Sequence, residues 1–163
     1  MPSIIDIEAS GFGPDSYPIE IGIVREDGAR FCRLIKPFPE WQHWSETAAE
    51  LHGINRDELL HFGKNGLDVC LQINAFVGQR TLFSDGWVVD NPWLIKLYAA
   101  ARCEMTFRLS PLESLLKESH ILRWDSVKSD VSSELGGSRH RASVDAMIIQ
   151  QTITRVLASD LAQ

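Results

Sequence analysis

Asp6 and Glu8 bracket a single isoleucine in the stretch "IIDIEASGFG", which opens like a buried strand. Residues two apart on a strand project to the same side, so the two carboxylates leave the strand end together and repel unless something neutralises them. A solvent-exposed strand end explains an arbitrary Asp-x-Glu. Here Ile4, Ile5 and Ile7 make the strand look central, and a bound divalent cation is the usual answer where hard oxygen ligands converge at such a place. That answer requires more carboxylates. Asp90, in "VVDNPWL", heads a helical pattern with its side chain near the helix start, and taken alone it reads as an N-cap. Asp145, in "HRASVDAMI", lies beside the inward-turning Ala146 and Ile149. His140, five residues earlier, is of the type that accepts a proton from water near neutral pH.

These residues need elements to position them. Ser3 to Glu8, Pro18 to Arg25 and Arg30 to Lys36 read as an antiparallel meander, with Ile19, Ile21 and Ile23 alternating and "EDGA" marking a turn. "SETAAELHG" has a serine cap and a glycine stop, giving a short helix, and another spans Arg56 to His61. Helix then alternates with strand. Leu67 to Val77 reads as helix and Thr81 to Ser84 as strand. A helix runs from near Asp90, its candidate N-cap, to Ala101, with Pro92 tolerated in its first turn. Thr106 to Leu109 is a strand, Pro111 to Glu118 a helix, and Ser143 to Leu157 the last helix. "SDVSSELGGSRHR" reads as a polar loop. The pattern predicts an α/β fold on a mixed five-stranded sheet, an antiparallel three-strand meander followed by parallel strands, flanked by helices, with the first strand near the centre.

The 163 residues suit one domain with a sizeable core. At 44% hydrophobic and 23% charged, with no long apolar run and no secretory signal, the composition predicts no membrane association and a cytoplasmic location. Cys32, Cys70 and Cys103 are too far apart for a Cys-x-x-Cys motif and read as reduced core residues. The formal charge of −6 argues against broad attraction to nucleic acid.

Taken in order, Asp6-Ile-Glu8 followed by "ASG", then "HGIN", "VVDNPWL" and "HRASVDA" resemble the DEDDh family of 3'-to-5' exonucleases, within the DnaQ-like superfamily of proofreading enzymes and RNase T. The matched segments run from residue 6 to 145, nearly the whole chain. The resemblance implies an RNase H-like fold and a single exonuclease domain over residues 1–163. It implies two Mg2+ or Mn2+ ions per active site. Asp6 would bridge both ions, Glu8 and Asp145 would complete the shell of the first ion, Asp90 would serve the second ion, and His140 would be the general base. The implied partners are 3' ends of single-stranded DNA or RNA, short oligomers included, and a homodimer is compatible with the reading. Nucleoside 5'-monophosphates would be the product, and two divalent cations would bring the formal sum from −6 to about −2.

Where the family often carries His-Asn, this chain has Asp85 and Gly86, so Asp85 competes with Asp90 as ligand. Asp90 is preferred because Trp93 and Leu94 follow it in the family's manner. Ala9, Ser10 and Gly11 would turn the backbone along the substrate's 3' terminus, with Ser10 in place of the commoner threonine. Phe12 either stacks on the terminal base or caps the core. Leu51 and His52 match the segment that lines the terminal nucleotide's pocket, although a helix end explains His52 equally well. Arg139 and Arg141 flank His140 as candidate phosphate contacts. Among Trp41, Trp44, Trp87, Trp93 and Trp124, only Trp93 reads as core. The rival readings are a catalytically inactive nucleic-acid-binding or polymerase-accessory module, and a phosphohydrolase working through an aspartyl-phosphate.

Overall fold

The apolar residues Ile4, Ile5 and Ile7 form β1 (Ser3–Ala9), the middle strand of the sheet. The structure is a computed structural model that describes residues 1–136 and 140–158. β2 (Pro18–Val24), buried along its whole length, and β3 (Arg30–Leu34) complete the antiparallel meander. Two short helices follow. α1 (Glu46–His52) is capped by the Ser45 side chain and stopped by Gly53 in the left-handed conformation. α2 (Arg56–Phe62) starts with a capping box between Asn55 and Glu58. Next come α3 (Gly66–Val77), β4 (Thr81–Ser84), α4 (Trp87–Ala101) and β5 (Arg108–Pro111), with β4 parallel to both β1 and β5. A 3-10 turn at Leu112–Leu115 leads into α5 (Glu118–Glu134), and α6 (Ala142–Ala158) closes the fold. The strand order is β3-β2-β1-β4-β5, the mixed RNase H-like sheet with its first strand at the centre.

Alternation along β1 divides the core. Ile5, Ile7 and Ala9 join Ile19, Ile21 and Ile23 of β2 beneath Val69, Ile73, Leu94 and Leu97 of α3 and α4. Ile4 and Val24 emerge on the other face and pack on Ala146, Ile149 and Ile153 of α6. The isoleucines at 4, 5, 19, 21 and 23 are fully buried, and each contributes roughly 2–3 kcal/mol. That burial pins β1 firmly enough to carry mutually repelling carboxylates at its end.

Three boundaries differ from expectation. The helix expected at Pro111 to Glu118 and the polar loop after Ser129 are replaced by the 3-10 turn and by α5, which continues to Glu134. Only His120 and Val131 are buried along α5, so it carries no apolar stripe by which a helix is recognised. α4 begins at Trp87, with Gly86 as its N-cap, which places Asp90 inside the first turn rather than at the cap. β5 lies two residues further along the chain than the expected strand. Among the described residues no helix is long and apolar enough to cross a membrane.

Candidate metal centre and cleft

Pairing in the sheet sets the site. Asp6 lies opposite Gly22 and Glu8 opposite Glu20, and the register shifts after Glu8 where β1 ends. Gly22 is needed for close approach, because a Cβ there would lie 2.2 Å from the Ala142 carbonyl carbon. The start of α6 therefore rests directly on the backbone of β2, and its first turn delivers Asp145 to the end of β1. Glu20, fully buried, fixes this contact. Its carboxylate accepts the Ala142 N–H at 3.0 Å and the Arg141 Nε–H at 3.0 and 3.1 Å, capping α6 from across the sheet and clamping the residue after His140. Reading the sequence missed Glu20, although a lone acid inside the apolar strand "PIEIGIV" was a usable signal.

One carboxylate oxygen each from Asp6, Glu8 and Asp145 lie within 4.8 Å of one another. The exposed His140 ring stands beside them, with Nδ1 3.9 Å from an Asp145 oxygen. Burial pushes the Asp6 carboxyl well above its ordinary range, and repulsion from Asp90, Glu8, Asp145 and Asp85 adds to it. Burial first, then Asp145 and Glu20, push Glu8 up to about 7, against a smaller opposing pull from Arg141. Asp145 is raised by burial, with His140 and Lys128 opposing. Asp90 is 3% exposed, accepts the Ser84 hydroxyl at 2.5 Å, and is pushed up to about 7 chiefly by burial. Asp85 instead forms an ion pair of 2.5 Å with Lys128 of α5. Convergent desolvated carboxylates with no shared cation repel one another, and an all-oxygen donor set of this kind fits a hard divalent ion.

The cluster opens into a cleft of about 780 Å³ lined by Asp6, Glu8, Asp90, His140 and Asp145 together with Ala9, Gly11, Phe12, Leu51 and His52. Gly11, at φ +152°, passes so close to His43 that a Cβ would lie 2.6 Å from its ring. Phe12 is 73% exposed, its ring 6.4 Å from that of Trp93. Leu51 is also exposed, whereas His52 is buried and accepts the Ile54 N–H through Nδ1. Ser10 and Arg141 are not on the cleft wall. The Ser10 hydroxyl is buried against the Tyr17 N–H and His43, and Arg141 is held by Glu20. Arg139 falls outside the described residues. Trp41 stacks on Tyr17 in the core, Trp93 donates to the Ser16 hydroxyl, and Trp44 meets His52 edge-on. Trp87 is half-buried, and Trp124 lines a smaller hollow of about 270 Å³ beside Asp85. Cys32, Cys70 and Cys103 are unpaired; Cys70 is buried and the other two half-buried.

No family model matches the sequence, and no curated protein matches it either. Solved structures do share the fold. E. coli Exonuclease I in complex with a 5cy-dT13 oligonucleotide superposes at a TM-score of 0.67 over 92% of this chain and 39% of that chain, at 14% identity. Its complex with a 5cy-dA13 oligonucleotide gives 0.64 over 95% and 40%, at 12% identity. The zinc-bound form of its single-stranded DNA complex gives 0.62 over 92% and 39%, at 12% identity. The chain thus spans about two fifths of the length of these neighbours.

Proposed function

We propose that the chain is a metal-dependent 3'-to-5' exonuclease of the DEDDh type, acting on single-stranded DNA or RNA. The observation that carries the reading is the convergence of Asp6, Glu8 and Asp145, from β1 and α6, within 4.8 Å of one another. Its support is the fold shared with E. coli Exonuclease I, which was solved with oligonucleotides.

Asp6, Glu8 and Asp145 would hold one Mg2+ or Mn2+, and Asp90, which repels Asp6, would help to hold a second. When bound, such ions activate water and neutralise charge on the phosphoryl and leaving oxygens. The chain's own residues do the rest. His140 takes the proton from the attacking water; its ring stands 3.9 Å from Asp145, and the Glu20–Arg141 clamp holds the backbone next to it. The exposed Phe12 ring offers a face to the terminal base, and Leu51 offers an apolar edge on the same cleft. Recognition is local, which accommodates an acidic protein on an acidic substrate.

The test is a panel of 5'-labelled DNA and RNA oligomers of matched sequence and varied length, with Mg2+, Mn2+ or EDTA. Stepwise shortening from the 3' end, dependent on the cation, is expected. Internal cleavage, or no shortening with either metal, refutes the reading.

A further inference from the structure

The cleft is ringed by acids, yet its substrate would be a polyanion. Besides Asp6, Glu8, Asp90 and Asp145, its walls include Asp125, and Asp85 stands just outside. Among the described residues that line it, Lys128 is the one lysine or arginine. The nearby Arg141 is committed to the buried Glu20.

Lys128 belongs to the helix that the sequence reading missed. Asp125, Lys128, Ser129 and Ser132 fall at positions i, i+3, i+4 and i+7 of α5 and all face the cleft, forming a polar stripe where a packed helix would carry an apolar one. α5 lies along α6, the helix that carries Asp145. The Lys128 ammonium reaches the edge of the carboxylate cluster, where it opposes the upward push on Asp145. Its contact is with Asp85, at 2.5 Å, and its side chain remains 38% exposed. The ammonium is open to solvent on the cleft side while Asp85 is more enclosed, so the lysine can be exchanged to another anion that enters the cleft.

We propose that Lys128 is a substrate-binding residue. It leaves Asp85 when a single strand enters and docks on a backbone phosphate of that strand, with the Ser129 and Ser132 hydroxyls beside it on the same stripe. The proposal rests on the nucleic-acid reading of the cleft and adds to it the wall along which the strand runs. In the free protein Asp85 holds the lysine aside; in the complex the phosphate replaces the carboxylate, with no net change in the number of charge-assisted bonds.

The experiment measures binding of a fluorescent dT oligomer, made resistant to hydrolysis by phosphorothioate linkages at its 3' end, with Mg2+ present and over a range of salt. Lys128→Ala should weaken binding by roughly tenfold, and the slope of log affinity against log salt should become shallower by about 0.7, the value for one lost phosphate contact on a single strand. Lys128→Arg should retain the slope. Asp85→Asn releases the lysine and should leave binding unchanged or tighter. If the pair is merely structural, Lys128→Ala and Asp85→Asn will weaken binding alike, and that result overturns the proposal. So does an unchanged slope in Lys128→Ala, or no measurable binding by the unaltered protein. Hydrolysis of an unmodified oligomer by the same preparation is read separately, so a failure of the exonuclease reading is not confused with a failure of the lysine assignment.

Discussion

Replacing Asp90 by asparagine should stabilise the metal-free protein while removing its activity. The Asp90 carboxyl is almost fully buried and is pushed from 3.8 up to about 7. At ~1.4 kcal/mol per pH unit, holding this group ionised inside the fold costs roughly 4 kcal/mol. The unfolded chain gives up this proton near 3.8, whereas the folded chain keeps it to about 7. Stability linked to Asp90 is therefore fully present below pH 3.8 and is lost as pH rises to about 7. Asparagine cannot ionise, and its carbonyl oxygen can still accept the Ser84 hydroxyl. It also removes one of the charges that repel Asp6, which acts in the same direction. Urea unfolding in EDTA should give nearly equal stabilities for the two proteins near pH 4. Asp90→Asn should gain progressively above that, reaching roughly 1–4 kcal/mol at pH 8. Nucleotide release with Mg2+ should fall by at least about a hundredfold, since a displaced ion forfeits several kcal/mol of charge stabilisation. A stability difference independent of pH, or a less stable variant at pH 8, would refute the reasoning.

Other substitutions separate positioning from chemistry. His140→Ala should lower turnover by about 10²–10⁴-fold while Mn2+ binding, followed by electron paramagnetic resonance, stays as in the wild type. Glu20→Gln leaves Arg141 without its carboxylate and, because the guanidinium left behind is part-exposed and can be hydrated, should cost about 1–3 kcal/mol in urea unfolding, with turnover falling alongside. Gly22→Ala drives a methyl into the Ala142 backbone and should destabilise by at least about 1–3 kcal/mol. Phe12→Ala should leave the urea midpoint unchanged, because the ring is exposed, and should raise KM for a single strand by about 5- to 100-fold if the ring stacks on a base.

The sheet was legible because β1, β2 and β4 are short apolar runs bounded by Gly, Pro and Asp, and because β2 alternates. The site was half legible. Asp6 and Glu8 share a strand face by simple periodicity, and the structure brings Asp145 to them. What the sequence hides is the contact that brings it. Gly22 and Glu20 act across some 120 residues on the start of α6, and neither lies in a motif. α5 was missed for a different reason. A helix with two buried residues among 17 has almost no apolar period, so its polar residues read as loop, and with it went Lys128. Spacing makes Asp85 a competitor of Asp90, and the Trp93-Leu94 pair favours Asp90; the structure gives Asp85 to Lys128 and Asp90 to Ser84.

The most direct test of the central claim is a Mn2+ titration followed by electron paramagnetic resonance, with mononucleotide release measured on the same samples, for the wild type and for Asp6→Asn. If the carboxylates at the end of β1 hold the ions that drive hydrolysis, the wild type will bind Mn2+ saturably and nucleoside 5'-monophosphate will appear along the same curve. Both will be lost in Asp6→Asn. Undiminished Mn2+ binding by Asp6→Asn, or mononucleotide release in EDTA, would contradict it.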